Sequence, residues 1–159
     1  LSSLSVMKIN LSKISNGKSF IEGTESSAFL KWNLDQFLKL RGNIRYKFSL
    51  KNFQKEIEIQ GELSLPIDIQ CSRCTEFFST SILVSDFLRG YPISDEIFEI
   101  DITSDISEEL ILHLPAFPVC GNDCLGICSK CGVNLNKVEC SCIEETGLSQ
   151  WSVLDKLDF

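Results

Sequence analysis

This 159-residue chain contains a single histidine, a single methionine and no long apolar run. His113 is the only imidazole, so the sequence offers no Cys–His pair for nucleophilic catalysis, and His113 itself is predicted to be structural. No window approaches the roughly 18 consecutive apolar residues that a membrane span needs. Glycine-rich phosphate loops and dinucleotide-binding fingerprints are also missing. These absences predict a protein that is not an enzyme, has no membrane span and takes no small-molecule substrate.

A secretion signal is missing as well, because no basic segment is followed by a long apolar run and a small-residue cleavage site. Secreted proteins commonly use their cysteines in disulfides, whereas reducing compartments keep them as thiols. The sequence therefore predicts a cytoplasmic protein whose cysteines are available to bind metal.

Cysteine is the residue that the chain has in excess, with eight in all and six of them between 120 and 142. Four thiolates form the complete ligand set of a structural zinc ion, which is four-coordinate and has no redox chemistry of its own. The short spacings let two ligands come from one tight turn. We predict two zinc ions, one bound by Cys71, Cys74, Cys120 and Cys124 and the other by Cys128, Cys131, Cys140 and Cys142.

The two predicted quartets differ in how they close. All four ligands of the second quartet lie within fifteen residues, and Gly132 allows the positive φ that points backbone N–H groups at sulfur. The first quartet instead joins a strand end, at Cys71 and Cys74, to a segment beyond the next helix. Its closure requires a helix at 105–114 to pack across the sheet. Closed four-thiolate sites are usually structural, so both quartets are predicted to hold the fold together.

Three other uses of the cysteines stay open at this point. A disulfide framework could pair eight cysteines in about a hundred ways. Iron could replace zinc, since thiolate sites also suit iron. A redox-active dithiol could form at Cys71 and Cys74, although no thioredoxin-like βαβ pattern surrounds them.

Alternating apolar and polar residues predict an antiparallel sheet. The stretches 44–50 and 57–71 both have the period of two that is typical of half-buried strands. A two-residue turn at Asn52-Phe53 would place Lys47 opposite Glu58, with Phe48 opposite Ile57 and Tyr46 opposite Ile59 on the other face.

The remaining elements are predicted from capping residues and composition. The helix at 105–114 is expected to begin at the cap residue Asp105, with Glu108 as its capping-box partner. The other predictions are a strand at 6–11, a loop at 16–27, a short helix at 35–40, a strand at 77–87 and an amphipathic tail containing Trp151, Leu154 and Leu157.

Charge is divided unevenly between the two halves of the chain. Residues 1–60 carry ten basic and five acidic side chains, whereas residues 61–159 carry five basic and seventeen acidic ones, which gives net charges of +5 and −12. Basic residues interleaved with aromatic ones could bind RNA phosphates and bases. The alternative is a solvated sheet face that Glu56 and Glu58 partly neutralise. The candidate RNA-binding residues are Lys39, Arg41, Arg45, Lys47 and Lys51.

Several short motifs in a fixed order resemble one protein family. They are Cys71-Ser-Arg-Cys74, the helical segment Ser107-Glu108-Glu109-Leu110-Ile111-Leu112-His113-Leu114-Pro115, and the run that ends in Cys131-Gly132-Val133-Asn134-Leu135-Asn136. In this order they resemble the bacterial and plastid YceD family, the large ribosomal RNA subunit accumulation protein. The resemblance runs from about Met7 to Leu157. The chain departs from the family at Leu125-Gly126-Ile127-Cys128-Ser129, where a basic residue, Gly, Leu, Cys and Pro are common.

The resemblance implies a role in accumulation of large-subunit ribosomal RNA, hence in ribosome assembly, and no established catalytic activity. Metal binding rests on the cysteine spacing and not on the resemblance. We therefore predict a ribosome-biogenesis factor whose partners are large-subunit ribosomal RNA or its precursor, a ribosomal protein, or both. A zinc-ribbon adaptor that binds only protein is the alternative, and a thiol redox protein is a third hypothesis.

The predicted fold is α+β, with an antiparallel, partly barrel-like sheet, one main helix and a cysteine-rich, zinc-bound C-terminal segment. A hydrophobic fraction of 43% over 159 residues is enough to form one core. The expected parts are a sheet domain at 7–117, a zinc-binding segment at 118–147 packed on it, and a C-terminal tail at 148–159.

Overall fold

The computed structural model describes residues 6–13, 17–32, 36–94 and 97–142. Within these ranges the chain forms seven strands, one α-helix and two short 3-10 turns at Leu11–Lys13 and Ser27–Phe29. The strands are β1 (Lys8–Asn10), β2 (Lys18–Glu25), β3 (Leu38–Leu40), β4 (Ile44–Phe53), β5 (Glu56–Gln70), β6 (Phe77–Pro92) and β7 (Glu99–Asp101), and the helix is α1 (Thr103–Leu112).

Five of the strands form one antiparallel sheet with β5 at its centre. β4 and then β3 pair along one edge of β5, β6 pairs along the other, and β2 extends the sheet beyond β4. The sheet curls into half a barrel. A register shift between β5 and β6, located between Gly61 and Leu63, adds local twist and bend. The predicted α+β class, with a partly barrel-like sheet and one helix, is confirmed.

One hydrophobic core lies between the inner face of this sheet and α1. Alternate residues of β4, β5 and β6 point into it, because successive side chains of a strand lie on opposite faces. α1 contributes Ile106 and Leu110, which are four residues apart and therefore share one helix face. The largest fully buried side chains of the core include Ile44, Phe48, Leu50, Ile57, Ile59, Leu65, Ile67, Ile82 and Phe87.

Glycine and two aromatic rings fix the register at the centre of the sheet. Gly61 of β5 lies opposite Phe48 of β4 on one side and Phe87 of β6 on the other. The two rings pack with their centroids 5.2 Å apart. A Cβ atom at Gly61 would collide with the backbone carbonyl of Lys47. Only glycine therefore allows β4 to approach β5 this closely.

The predicted pairing of β4 with β5 is wrong by four residues. The turn lies at Gln54-Lys55 rather than Asn52-Phe53, so Lys47 faces Glu62 and Lys51 faces Glu58. Likewise Phe48 faces Gly61 rather than Ile57, and Tyr46 faces Leu63 rather than Ile59. Because the error is an even number of residues, each side chain keeps its predicted face.

Two predictions about the N-terminal third are also wrong. The predicted loop at 16–27 contains β2, which pairs with β4 and has no second partner among the described strands, so it is an edge strand of the sheet. Edge strands tolerate its Gly, Ser and Glu content because one side of the strand remains in solvent. The predicted helix at 35–40 is replaced over Leu38–Leu40 by β3, which pairs with β5. Asp35 lies outside the described residues.

The helix begins two residues earlier than predicted. Asp105 is inside α1, and the cap position is Ile102, which makes no side-chain capping bond. Asp101 accepts the backbone N–H of Thr103 at 2.9 Å instead. The helix ends at Leu112, two residues before the predicted end, and the partly exposed His113 ring donates through Nδ1 to the carbonyl of Glu109 at 3.0 Å.

Side chains on β6 hold α1 against the sheet. Tyr91 donates to Asp105 at 2.6 Å, and Arg89 bonds to Glu109 at 2.8 Å. Burial, together with the carboxylate of Asp105, raises the pKa of Tyr91. Because α1 lies across the sheet, the segment that follows it returns to the end of β5, where Cys71 is located. The packing that the first cysteine quartet was predicted to require is therefore present.

The predicted boundary at 147–148 and the end of the tail at 159 lie outside the described residues. The zinc-binding segment is described from 118 to 142, and the tail at 148–159, including Trp151, Leu154 and Leu157, lies outside. Among the described residues, no helix combines the length and the apolar character that crossing a bilayer requires.

Candidate metal centres

The first cysteine quartet joins the turn between β5 and β6 to the segment after α1. The Sγ atoms of Cys71 and Cys124 are 3.9 Å apart, those of Cys74 and Cys120 are 3.7 Å apart, and all four lie within 4.8 Å of one another. Cys71 and Cys74 are only 1% and 2% exposed. Arg73 holds the segment after α1 in place by donating to the backbone carbonyls of Asn122 and Cys124.

The turn that carries Cys71 and Cys74 is closed by three hydrogen bonds. Cys71 donates its backbone N–H to Glu76 and accepts that of Thr75 at its carbonyl, at 2.8 and 3.0 Å. The backbone N–H of Arg73 points at the Cys71 sulfur, at 3.4 Å. Thr75 has a φ of 61°, in the left-handed region that few residues other than glycine adopt.

The turn that carries Cys128 and Cys131 repeats this arrangement. Cys128 donates to Val133 and accepts from Gly132, at 2.8 and 2.9 Å, and the N–H of Lys130 points at the Cys128 sulfur, at 3.4 Å. Gly132 has a φ of 75° and occupies the position of Thr75. The two quartets are therefore built on the same turn, with glycine at the left-handed position in one and threonine in the other.

The second quartet is completed by Cys140 and Cys142. The Cys140 sulfur lies 3.3 Å from that of Cys128 and 3.5 Å from that of Cys131, and all four sulfurs lie within 4.8 Å of one another. Cys131 is exposed, whereas three ligands of the first quartet are buried. The structure thus brings the eight cysteines together in the two predicted groups, one inside the fold and one at its surface.

The spacing of the sulfurs suits a tetrahedral metal ion. Zinc–sulfur bonds of about 2.3 Å place the four sulfurs of a tetrahedron roughly 3.8 Å apart, and the closest pairs here are 3.3–3.9 Å apart. Disulfide sulfurs are about 2.05 Å apart, and all eight cysteines are free. Each quartet could therefore hold one metal ion, with only sulfur ligands and no position left open for a substrate.

Backbone N–H groups stabilise the thiolates of Cys71 and Cys128. Burial raises the pKa of Cys71, but N–H donors from its own turn and from Cys120 outweigh this effect and lower the value to about 6. The N–H groups of Cys131 and Lys130 lower the pKa of Cys128 to about 6. The neighbouring Cys124 sulfur, together with burial, raises the pKa of Cys120 to about 12. Metal binding must therefore displace the proton of Cys120.

An asparagine that lies between two ligands of the second quartet contacts the first quartet. Asn136 donates through Nδ2 to the Cys124 sulfur at 3.4 Å and accepts the N–H of Leu125 at 2.8 Å. Lys137, the next residue, forms an ion pair with Glu76 at 2.7 Å. No role in the site was predicted for Asn136 from the sequence. The available signal was the Asn134-x-Asn136 pair between two ligand cysteines.

The five candidate RNA-binding residues lie along one line on the outer face of the sheet. Lys51, Lys47 and Arg45 follow one another on β4, and Lys39 and Arg41 continue the line on and beyond β3. The line is about 33 Å long, because its partners on β5 run over ten residues, from Glu58 to Asp68, at roughly 3.3 Å per residue.

Acidic side chains neutralise much of this line. Three ion pairs join Arg41 to Asp68, Lys47 to Glu62 and Lys51 to Glu58, at 3.3, 3.7 and 2.7 Å. The ammonium group of Lys39 lies over the Phe77 ring, 4.7 Å from its centroid. Arg45 is exposed, and no ion pair joins it to another described residue.

Comparison with known proteins points to one family. The family model described as "Large ribosomal RNA subunit accumulation protein YceD" matches residues 90–158. Over 50 residues, or 31% of the chain, the sequence is 42% identical to the "Large ribosomal RNA subunit accumulation protein YCED homolog 1, chloroplastic" of Arabidopsis thaliana, of which the match covers 16%.

More distant similarity extends to mycobacterial proteins. An uncharacterized protein of Mycobacterium tuberculosis (strain ATCC 25618 / H37Rv) is 31% identical over 100 residues, which cover 54% of this chain and 48% of that protein. An uncharacterized protein of Mycobacterium leprae (strain TN) is 26% identical over 106 residues, which cover 58% and 49%. The chain thus spans about half the length, or less, of these relatives. No solved structure matches it.

Proposed function

We propose that this chain belongs to the YceD family and supports the accumulation of large-subunit ribosomal RNA as a non-enzymatic factor in ribosome assembly. The match to the family model over residues 90–158 carries the proposal. That stretch contains α1 and six of the eight cysteines. The proposed place of action is the cytoplasm, whose reducing thiols keep cysteines free of disulfides.

Two zinc ions are the proposed metals, one in each quartet. Zinc held by four thiolates supplies a rigid cross-link and no redox chemistry. The N–H groups of Arg73 and Lys130 orient one sulfur in each quartet, which supports a fixed ligand geometry. Protein purified without added metal is expected to contain close to two zinc ions per chain by elemental analysis. If the analysis finds iron instead of zinc, the identity of the metal is wrong but metal binding stands. Disulfides among these cysteines would refute metal binding.

RNA contact is proposed along the outer basic line. Exposed ion pairs typically contribute only about 0–1 kcal/mol, so a phosphate can take the place of the carboxylate that now faces Lys47 or Arg41. Arg45 can contact RNA without breaking such a pair. The net charge of −12 on residues 61–159 opposes RNA elsewhere, so binding is expected to be modest and restricted to this line.

A protein-only adaptor is the second candidate function, and two observations favour it. Three of the five basic residues already have acidic partners. In the cysteine-rich segment and just before it, Phe117, Leu125 and Ile127 are 83%, 68% and 43% exposed. Exposed apolar side chains of this size are common in protein interfaces.

Complementation with a charge-reversal variant separates the two candidates. In cells that lack the native protein, Arg41→Glu, Arg45→Glu and Lys47→Glu together are expected to lower large-subunit RNA relative to small-subunit RNA. RNA binding by the purified variant is expected to fall as well, because cations that contact phosphates are lost.

The matched control reverses the same amount of charge at three lysines that are not part of the line, with Glu in place of Lys8, Lys31 and Lys55. Both variants are first checked for two bound metal ions and for unchanged thermal unfolding. Full restoration of large-subunit RNA by the first variant would favour the protein-only adaptor over RNA contact.

A further inference from the structure

Asn136 belongs to one quartet by its place in the chain and to the other by its contacts. It lies in the loop 132–139, whose flanking residues Cys131 and Cys140 are ligands of the second quartet with sulfurs 3.5 Å apart. Its side chain nevertheless donates to the sulfur of Cys124 and accepts from the N–H of Leu125, both in the first quartet's segment. One side chain from the loop between two ligands of the second quartet therefore contacts a ligand of the first.

The rest of the loop is arranged to hold this side chain in place. The carboxamide oxygen of Asn134 accepts both the backbone N–H and the Nδ2 of Asn136, at 3.0 and 2.9 Å. Leu135 donates its N–H to the carbonyl of Gly126 at 2.9 Å. Asn136 is therefore aimed at Cys124 by contacts before and after it, and the Lys137–Glu76 pair fixes the loop to the first turn as well.

A metal ion in the second quartet would fix both ends of this loop. Without it, placing Asn136 on Cys124 requires ordering a segment of eight residues, which opposes the contact by conformational entropy. With the ends already fixed, the same hydrogen bond forms with a smaller entropy loss. An N–H donor on a ligand sulfur stabilises the thiolate and orients it toward the metal.

We infer that the two quartets bind metal cooperatively, with Asn136 as the positioning residue that links them. The inference rests on the metal binding proposed above. Filling the second quartet raises the affinity of the first, and by thermodynamic reciprocity filling the first raises the affinity of the second by the same factor. Loss of such an outer hydrogen bond typically lowers metal affinity by about ten- to a hundredfold.

The test measures zinc affinity of the first quartet by competition with a chromogenic chelator in four full-length proteins. They are the wild type, Cys131→Ser, Asn136→Ala and the double variant. Each single change is expected to lower the affinity by about tenfold or more. The double variant is expected to lose little beyond either single change, since both remove the same link. Unchanged affinity in Cys131→Ser, or losses that simply multiply in the double variant, would overturn the inference.

Two further variants separate the hydrogen bond from general damage. Asn122→Ala is the matched control, because the Asn122 side chain is exposed and makes no hydrogen bond with another described residue. Its affinity is expected to equal that of the wild type. Asn136→Asp keeps the acceptor for Leu125 but places a carboxylate oxygen beside the Cys124 sulfur. It is expected to weaken the first quartet at least as much as Asn136→Ala, and wild-type affinity in this variant would contradict the role assigned to the Nδ2 group.

A measurement on the wild type needs no folded variant. Cadmium-113 NMR during metal titration resolves the two quartets, and chains that hold both ions are expected to exceed the number that independent filling of the two sites would give. Site occupancies that fit two independent binding curves would overturn cooperativity while leaving two-metal binding intact. A wild-type chain that binds no metal at all would instead overturn the metal proposal, so the two failures are distinguishable.

Discussion

Loss of the two quartets is expected to have unequal consequences, because only the first is part of the core structure. Cys71 and Cys74 are buried in the turn between β5 and β6, the two longest strands, and Phe78 of β6 packs against the cluster that they form with Cys124. Cys131 is exposed and lies after the last element of the sheet. Cys74→Ser should therefore destabilise the whole domain, and Cys131→Ser should disorder mainly residues 125–142.

The expected difference is large. Structural zinc contributes roughly 10–16 kcal/mol of apparent binding free energy, and typical domains are stable by only about 5–15 kcal/mol. Loss of the first ion can thus remove most of the stability of the sheet. Loss of the second ion disorders the segment that carries the second quartet. Through Asn136 it also lowers the metal affinity of the first quartet about tenfold, which corresponds to about 1.4 kcal/mol.

Thermal unfolding followed by far-UV circular dichroism, with excess zinc present, measures the global effect. Amide hydrogen exchange then locates the region that has lost protection. Cys74→Ser is expected to lower the melting temperature strongly and to expose β5 and β6, whereas Cys131→Ser should leave both strands protected. Equal melting temperatures for the two variants would refute the division into a core quartet and a peripheral one.

Three further predictions test single features of the turns and the sheet. Threonine is strained at positive φ. Thr75→Gly should therefore leave the free energy of unfolding unchanged or raise it by up to about 1 kcal/mol, whereas Gly132→Thr should lower the metal affinity of the second quartet. Equal behaviour of the two variants in calorimetry and metal titration would contradict this. Gly61→Ala should destabilise by more than about 1 kcal/mol in urea unfolding, since its methyl group meets a backbone carbonyl. Metal affinity should fall as pH falls, and it should fall more steeply below about pH 6, because Cys71 and Cys128 also take up protons there. The metal affinity measured by chelator competition across pH 5–8 should therefore keep falling below neutrality without reaching a plateau.

The cysteine groups could be predicted from the sequence because their chemistry is mostly local. A pair of cysteines separated by two residues already specifies a turn, and four cysteines within fifteen residues can close without knowledge of the fold. The first quartet also required a helix that crosses the sheet, and the capping residues Asp105 and Glu108 predicted that helix. Asn136 could not be assigned in the same way, because a hydrogen bond from an amide to a sulfur leaves no periodic pattern in a sequence.

The errors in the sheet have a common physical origin in tertiary contacts. Turn residues gave little guidance, since neither Asn52-Phe53 nor the observed Gln54-Lys55 is a strong turn sequence. The register is fixed instead by the close approach at Gly61, where two strands and two aromatic rings meet. β2 was missed because an edge strand buries little, so its composition resembles that of a loop. In both cases the deciding interaction joins residues far apart in the chain.

The ion pairs on the outer face decide how strongly RNA binding should depend on salt. If all five basic residues of the line neutralised phosphates of single-stranded RNA, the slope of log affinity against log salt would be about −3.5, at roughly −0.7 per phosphate. Three of the five already form ion pairs with Asp68, Glu62 and Glu58, and residues that merely exchange a carboxylate for a phosphate take up no additional counter-charge. The slope should then approach about −1.4, the value for Lys39 and Arg45 alone. A measured slope near the larger value would mean that the acidic partners swing away on binding, and a slope near zero would leave protein contact as the function of this chain.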